Sequence, residues 1–324
     1  KNPHFLFNKP YPDFDLEELV SYANERGVKL IMHHETSANA WDYERQLDTA
    51  FDFMNEHGYD AVKTGYVGYI IPRGEYHSSQ MMVDHYIEVA RKAAEHKIMV
   101  NSHEAVRPTG LIRTWPNWVA QESARGGEYE AMGGNPPEHT TILPFTRLKG
   151  GPMDYTPGLM ETDLASWGYG NTSKPGTTIA RQLALYLTMP SPLQMACDKP
   201  ESYRKYADAF EFIKVVPVEW KNSIYVEAEP GDYITVARQD KNCDDWYIGA
   251  ITDENSRIAK IKLDFLTKGE KYMATIYADG DDADYRNNPK SYKIYNTKVD
   301  CKSELKLALA PGGGSAVRIT RIEK

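Results

Sequence analysis

Cysteine is scarce in this chain, with three among 324 residues, at positions 197, 243 and 301. An odd number at such wide spacing excludes a disulfide framework or a zinc-knuckle pattern and leaves the compartment open. Long apolar runs are missing as well, and none approaches the roughly 18 residues of a membrane-spanning helix. Positive charge is short: 38 Lys and Arg stand against 46 Asp and Glu, a net charge of −8. No basic stripe offsets that balance, which argues against a nucleic-acid partner. Also absent are a Gly-rich phosphate loop, a Gly-x-Ser-x-Gly elbow and a dinucleotide fingerprint. The chain opens at Lys1 with no initiator Met and no secretory signal, so a processed or truncated product is expected.

What the chain does have is aromatic rings and a repeating order of elements. Its 22 Tyr and 6 Trp suit either stacking on sugar faces or packing within sheets. Residues 13–26 read as an amphipathic helix with Leu16, Leu19, Val20 and Ala23 on one face and Gly27 at the stop. Val28 to Met32 then reads as a strand that runs into His33-His34-Glu35-Thr36-Ser37. Trp41 to His57 is a second helix, residues 60–66 a strand with Lys63-Thr64 as its polar tail, and Ser79 to His96 a third helix. Ile98-Met99-Val100-Asn101-Ser102 is an apolar strand that stops abruptly in His103-Glu104. Ala120–Ser123, the Gly151–Gly158 segment and Pro192–Ala196 complete six strand-like units, with helices at residues 177–188 and 202–213.

Helix-strand units whose strands end in ionisable groups have the rhythm of an α/β fold. The expected architecture is a (β/α)₈ TIM barrel over residues 1–216, short of its first strands because a closed barrel needs eight. From residue 217 the chain changes to short β-branched and aromatic segments separated by turns, such as Tyr233–Ala237, Trp246–Ala250 and Tyr272–Tyr277. An all-β antiparallel sandwich is expected over 217–324. The run Asp279-Gly280-Asp281-Asp282-Ala283-Asp284 lacks the Gly and terminal Glu of a calcium loop of EF-hand type and reads as an acidic turn.

Four glutamates, Glu35, Glu104, Glu122 and Glu128, fall at expected strand ends. Carboxylates brought together repel, so they persist with a shared proton or a bound cation, and oxygen-rich sets suit calcium. Zinc fits less well, because His33 and His34 are neighbours on a strand and point to opposite faces. Paired carboxylates at a barrel mouth also suit glycosidic bond cleavage, one as acid and one as base or nucleophile. The structural alternative is that each Glu caps a helix or pairs with Arg107, Arg113 or Arg125. His33 and His103 sit beside candidate glutamates, and Lys63 ends a buried strand where an amine must meet an acid or a ligand.

Taken together, the segments His33–Ser37, Lys63–Tyr66, His103–Gly110, Arg125–Glu128 and Gly151–Gly158 resemble glycoside hydrolase family 97 along nearly the whole chain. The resemblance implies an N-terminal sandwich, a central barrel and a C-terminal β domain, of which this chain would be the later part, beginning after two barrel strands. The absent sandwich would act as a partner segment and supply one more carboxylate to a calcium site. Carried over by position, Glu128 is the general acid, and Glu104 and Glu35 hold and deprotonate the attacking water. Glu104, Glu122 and Glu128 are the Ca²⁺ ligands, and His33, Lys63 and His103 contact an oligosaccharide substrate. Retaining members carry an Asp nucleophile where this chain has Gly65, so inversion is implied. The activity so implied is a calcium-dependent inverting α-glucosidase of the periplasm acting on starch-derived oligosaccharides. Another sugar specificity, such as α-galactosidase, and a non-catalytic carbohydrate-binding protein are the alternatives.

Overall fold

The computed structural model describes residues 5–168 and 170–322, which divide into two compact units. The first runs up to Ala124 and includes Gly150–Asp154; the second holds Arg125–Lys149 and the chain from Tyr155 onward.

The first unit is built on a parallel sheet in the order β1 (Met32–Glu35), β2 (Ala61–Gly65), β3 (Met99–Ser102) and β4 (Trp118–Gln121). Its helices are α1 (Leu16–Glu25), α2 (Ala40–Glu44), α3 (Leu47–Glu56) and α4 (Gln80–Glu95). Asp15 caps α1 by accepting from the Glu18 amide at 2.9 Å, and Ser79 caps α4. Phe51, Met54, Val62, Met82, Val89, Val100 and Trp118 fill the core between helices and sheet.

Strand pairing moves β1 toward the carboxyl side of the segment expected from Val28 to Met32. Met32 to Glu35 are the residues that find partners, in register with Val62 to Gly65, while Val28 and Ile31 stay exposed. The single helix expected over residues 41–57 is two, because Gln46 turns its amide back to the Phe5 carbonyl and the Asp42 side chain at the break. Neither the fifth nor the sixth expected strand forms. Gly151–Gly158 contributes one parallel bridge, from Met153 to Gln121, and residues 192–196 are irregular. Pro152, Pro157, Pro190 and Pro192 remove the donors a ladder needs there. The parallel sheet of the described residues therefore has four strands, not the six expected.

The second unit carries α5 (His139–Ile142), α6 (Ile179–Thr188), α7 (Pro200–Lys205) and α8 (Ala207–Val215). Its strands are β5 (Trp220–Glu229), β6 (Tyr233–Asp240), β7 (Trp246–Thr252), β8 (Arg257–Lys262), β9 (Tyr272–Asp279), β10 (Tyr292–Val299), β11 (Glu304–Leu309) and β12 (Gly314–Arg321). Six form an antiparallel sheet in the order β10-β9-β12-β7-β6-β5, and β11 and β8 form a second sheet. Ile248, Ala250, Ile276 and Val317 of the larger sheet pack with Ile261, Leu305 and Leu307 of the smaller in one core.

All ten residues of α6 are buried, and this helix lies against β7 and β12. Gly249 permits that approach, since a Cβ there would meet Leu187 Cβ at 2.6 Å and the Ala184 carbonyl at 2.7 Å. The acidic turn forms as expected. Asp281 and Asp282 face solvent, whereas Asp279, the last residue of β9, is buried.

Candidate active site

The side-chain period of two sorts the strand ends of the first unit into faces. His33 pairs with Lys63 and Glu35 with Gly65, so these four residues share one face of the sheet. Lys63 pairs in turn with Asn101, and His103 follows Asn101 on that face. His34 points the other way. It is buried against Phe7 and Tyr43, and its Nδ1 lies 2.9 Å from the Tyr43 hydroxyl.

Glu35 ends β1, and its Oε1 accepts from the Ser37 amide at 2.7 Å and the Val67 amide at 3.3 Å. Glu104 lies two residues past β3; its Oε2 accepts from the Tyr66 amide at 2.7 Å. Glu122, one residue past β4, is buried, and its Oε2 accepts from the Glu104 amide at 2.9 Å. Left-handed backbone recurs at these strand ends, with φ of +45° at Ser37, +44° at Glu104 and +52° at Ser123. Non-glycine residues held there are strained, and such strain clusters at functional sites.

Gly65 completes this arrangement by having no side chain. A Cβ built on it would overlap Glu35 Oε2, with Glu35 Cδ at 3.1 Å and His33 Nε2 at 3.3 Å. A side chain at position 65 and the Glu35 carboxylate in its present place exclude one another.

A further carboxylate, Asp154, joins the face from outside the strands. Its Oδ2 accepts from Asn101 Nδ2 at 2.6 Å and from His103 Nε2 at 2.7 Å, with Lys63 Nζ at 3.8 Å. Burial would raise its pKa, but the bond and charge of His103, with Asn101 and Lys63, outweigh this and hold the carboxyl below its usual range. His103 Nδ1 is 3.6 Å from Glu122 Oε2. Burial lowers the pKa of His33, with Glu35 opposing and Lys63 and His103 adding to the fall. The face thus holds several acids and bases within hydrogen-bonding reach of one another, which suits proton transfer to and from a polar ligand.

Glu128 lies in the second unit and is not at a strand end. It occupies the short 3₁₀ turn Gly127–Ala131, where its side chain is exposed. The Gly127 amide donates to the Tyr155 carbonyl at 2.6 Å, and the Arg125 guanidinium stacks 4.5 Å from the Tyr129 ring centre. Beside it, Glu130 is buried and accepts from the Asn135 and Gly176 amides at 3.2 and 3.0 Å.

Residues 1–124 match the family model for glycoside hydrolase 97, and residues 219–320 match the model of the glycosyl hydrolase 97 C-terminal, oligomerisation region. The fold is also that of a family 97 enzyme from Pseudoalteromonas sp. strain K8 in complex with acarbose. The TM-score is 0.92 at 43% identity, over 98% of this chain and 50% of that one. The chain belongs to glycoside hydrolase family 97.

Curated relatives in the family include a retaining α-galactosidase of Bacteroides thetaiotaomicron, 32% identical over 95% of this chain and 45% of the relative. A probable retaining α-galactosidase of Streptomyces bingchenggensis is 29% identical over 76% of this chain and 35% of its own length. A variant of the Pseudoalteromonas enzyme is similar to this chain at the same 43% and is in complex with panose. The chain spans about half the length of the relatives it matches.

Within this family 97 chain, the donors expected for calcium are of the right type. Glu104 and Glu122 offer hard carboxylate oxygens, each fixed by a backbone N–H and joined through the Glu104 amide. No role for Asp154 follows from the residues around it. Its one signal was an acid set between Met153 and Tyr155 in a stretch flanked by prolines. No helix among the described residues is long and apolar enough to cross a membrane.

Proposed function

We propose that this chain carries the catalytic centre of an inverting α-glucosidase acting on starch-derived oligosaccharides. The observation that carries the reading is the packing of Glu35 into the space left by Gly65. A retaining glycosidase needs a carboxylate nucleophile poised at the sugar carbon, whereas an inverting one needs a base that holds water. The place of the retaining nucleophile is taken here by a residue without a side chain, and a glutamate leans into it.

In the proposed reaction Glu35 and Glu104 hold the attacking water and accept its proton, and Glu128 protonates the departing oxygen. His33, Lys63 and His103 hydrogen-bond the sugar hydroxyls. Glu104, Glu122 and Glu128 would hold a calcium ion, which would supply positive charge to offset the crowding of carboxylates. The four-stranded sheet belongs, in this reading, to a (β/α)₈ barrel over residues 1–216, followed by a β-sandwich domain over 217–324. A further segment completes the barrel and adds a ligand to the ion, which the greater length of the relatives supports. Periplasmic placement rests on the family resemblance.

The names of the curated relatives favour a second reading, a retaining α-galactosidase. Proton NMR of the first sugar released from p-nitrophenyl α-glucoside and α-galactoside separates the two. Initial β-glucose, lost in Glu128→Gln and on chelation, supports the proposal. Initial α-galactose overturns it.

A further inference from the structure

Consecutive backbone amides of one short segment hold both carboxylates assigned to the attacking water. The Tyr66 N–H donates to Glu104 at 2.7 Å and the Val67 N–H to Glu35 at 3.3 Å. Just before them, the Gly65 carbonyl accepts from the Thr36 amide at 2.9 Å and its hydroxyl at 2.8 Å, which ties the segment to the end of β1. His77 Nε2 donates to the Tyr66 carbonyl at 2.9 Å.

What fixes the segment on its buried side is the Tyr66 side chain. The ring is fully buried, edge-on to Tyr86 and His85 with centroids 5.1 and 5.2 Å away. Its hydroxyl is 2.8 Å from His85 Nε2, and His85 Nδ1 is 2.7 Å from Glu44 Oε1. A carboxylate only accepts, so Nδ1 donates to Glu44, and Nε2 is the nitrogen that meets the Tyr66 hydroxyl. Burial pushes that hydroxyl well above its usual pKa, so it stays a donor. The Tyr86 hydroxyl bonds the Glu104 carbonyl at 3.0 Å and closes the same corner.

We propose that Glu44, His85 and Tyr66 form a relay, buried at His85 and Tyr66 and half-buried at Glu44, that positions Glu35 and Glu104 through the amides of residues 66 and 67. His85, on α4, and Glu44, on α2, touch no substrate in this scheme; they are positioning residues. The proposal rests on the reading that Glu35 and Glu104 hold the attacking water. Its physical content is that side-chain bonds on one side of the sheet set the geometry of two carboxylates on the other.

The test compares Tyr66→Phe, which keeps the ring packing and deletes one hydroxyl, with His85→Leu and His85→Gln. Amide hydrogen exchange of the intact chain reads the clamp directly. Exchange at positions 66 and 67 is expected to rise about 10-fold in Tyr66→Phe and His85→Leu, with β2 itself unchanged. On p-nitrophenyl α-glucoside, kcat is expected to fall about 10-fold with KM within twofold, and His85→Gln to recover part of the loss. Unchanged exchange at 66 and 67 overturns the proposal. So does exchange that rises uniformly over β2, or local loosening with kcat intact. A wild-type chain inactive on every α-glycoside sinks the parent reading alone, and the exchange measurement still decides whether the relay holds the two amides.

Discussion

His103 and Asp154 meet side chain to side chain at 2.7 Å with almost no access to solvent, at 5% and 1% exposure. Asp154 fixes which ring nitrogen of His103 carries the proton and turns the ring toward the strand ends. Replacing Asp154 by Asn keeps the shape and removes the charge. The expected outcome is a fall in kcat/KM of about 10- to 100-fold with the fold retained, read by steady-state kinetics and circular dichroism. Wild-type kinetics in Asp154→Asn would leave His103 without need of its partner.

Gly65→Ala tests the mutual exclusion with Glu35. The added methyl overlaps the carboxylate oxygen, a flexible tip, so the glutamate moves and the backbone need not. Activity is expected to drop about 100-fold while Tm shifts by only a few degrees. A large loss of Tm with the remaining activity unaffected per folded molecule contradicts that account.

His34 makes stability depend on pH. Burial, with His33 adding, brings its pKa from 6.5 down to about 3. Between those values the unfolded chain takes up a proton that the folded chain refuses. The stabilisation is therefore complete above about pH 6.5 and is lost as pH falls toward 3. Its slope reaches about 1.4 kcal/mol per pH unit within the window. Urea midpoints at pH 5 and pH 7 are expected to differ less in His34→Gln than in the wild type; equal differences would remove His34 as the cause.

Asp279 works in the opposite direction. Burial raises its pKa to about 6, against bonds from the Thr178 hydroxyl and the Ala310 and Gly314 amides that favour the charged form. A raised carboxyl contributes stability below its unfolded pKa of 3.8, and that contribution fades as pH rises through 6. Asp279→Asn, which keeps an acceptor, is expected to gain on the wild type steadily from about pH 4 to pH 6 and to run parallel above. A constant offset across that range would show that ionisation at this position carries no cost.

Helix starts are encoded locally, since the side chains of Asp15, Ser79 and Thr178 each accept from the amide three residues on, and the starts expected at residues 13, 79 and 177 fall within two residues of these caps. The β domain is legible in kind, from its turns and β-branched runs, yet β10 and β11 do not stand out as β-branched or aromatic segments. Lysines on the solvent face mask their apolar side, although Glu304 to Leu309 alternates cleanly between exposed and buried. Glu35, Glu104 and Glu122 could be placed at or just past strand ends because a polar residue after an apolar run is a local signal. Glu128 could not, because a 3₁₀ turn leaves none. Partners joined only by folding were out of reach: Asp154 lies 51 residues from His103, and Glu44 lies 41 from His85.

The left-handed backbone at Glu104 sets a limit on how robust this molecule can become. A side chain with a Cβ costs on the order of 1 kcal/mol in that conformation, a cost that glycine escapes. Selection for heat resistance alone would drift toward Gly at position 104 and would discard a carboxylate assigned to the water in the process. Durability and turnover compete for one residue, so any hardening of the scaffold is better sought elsewhere, well away from the strand ends.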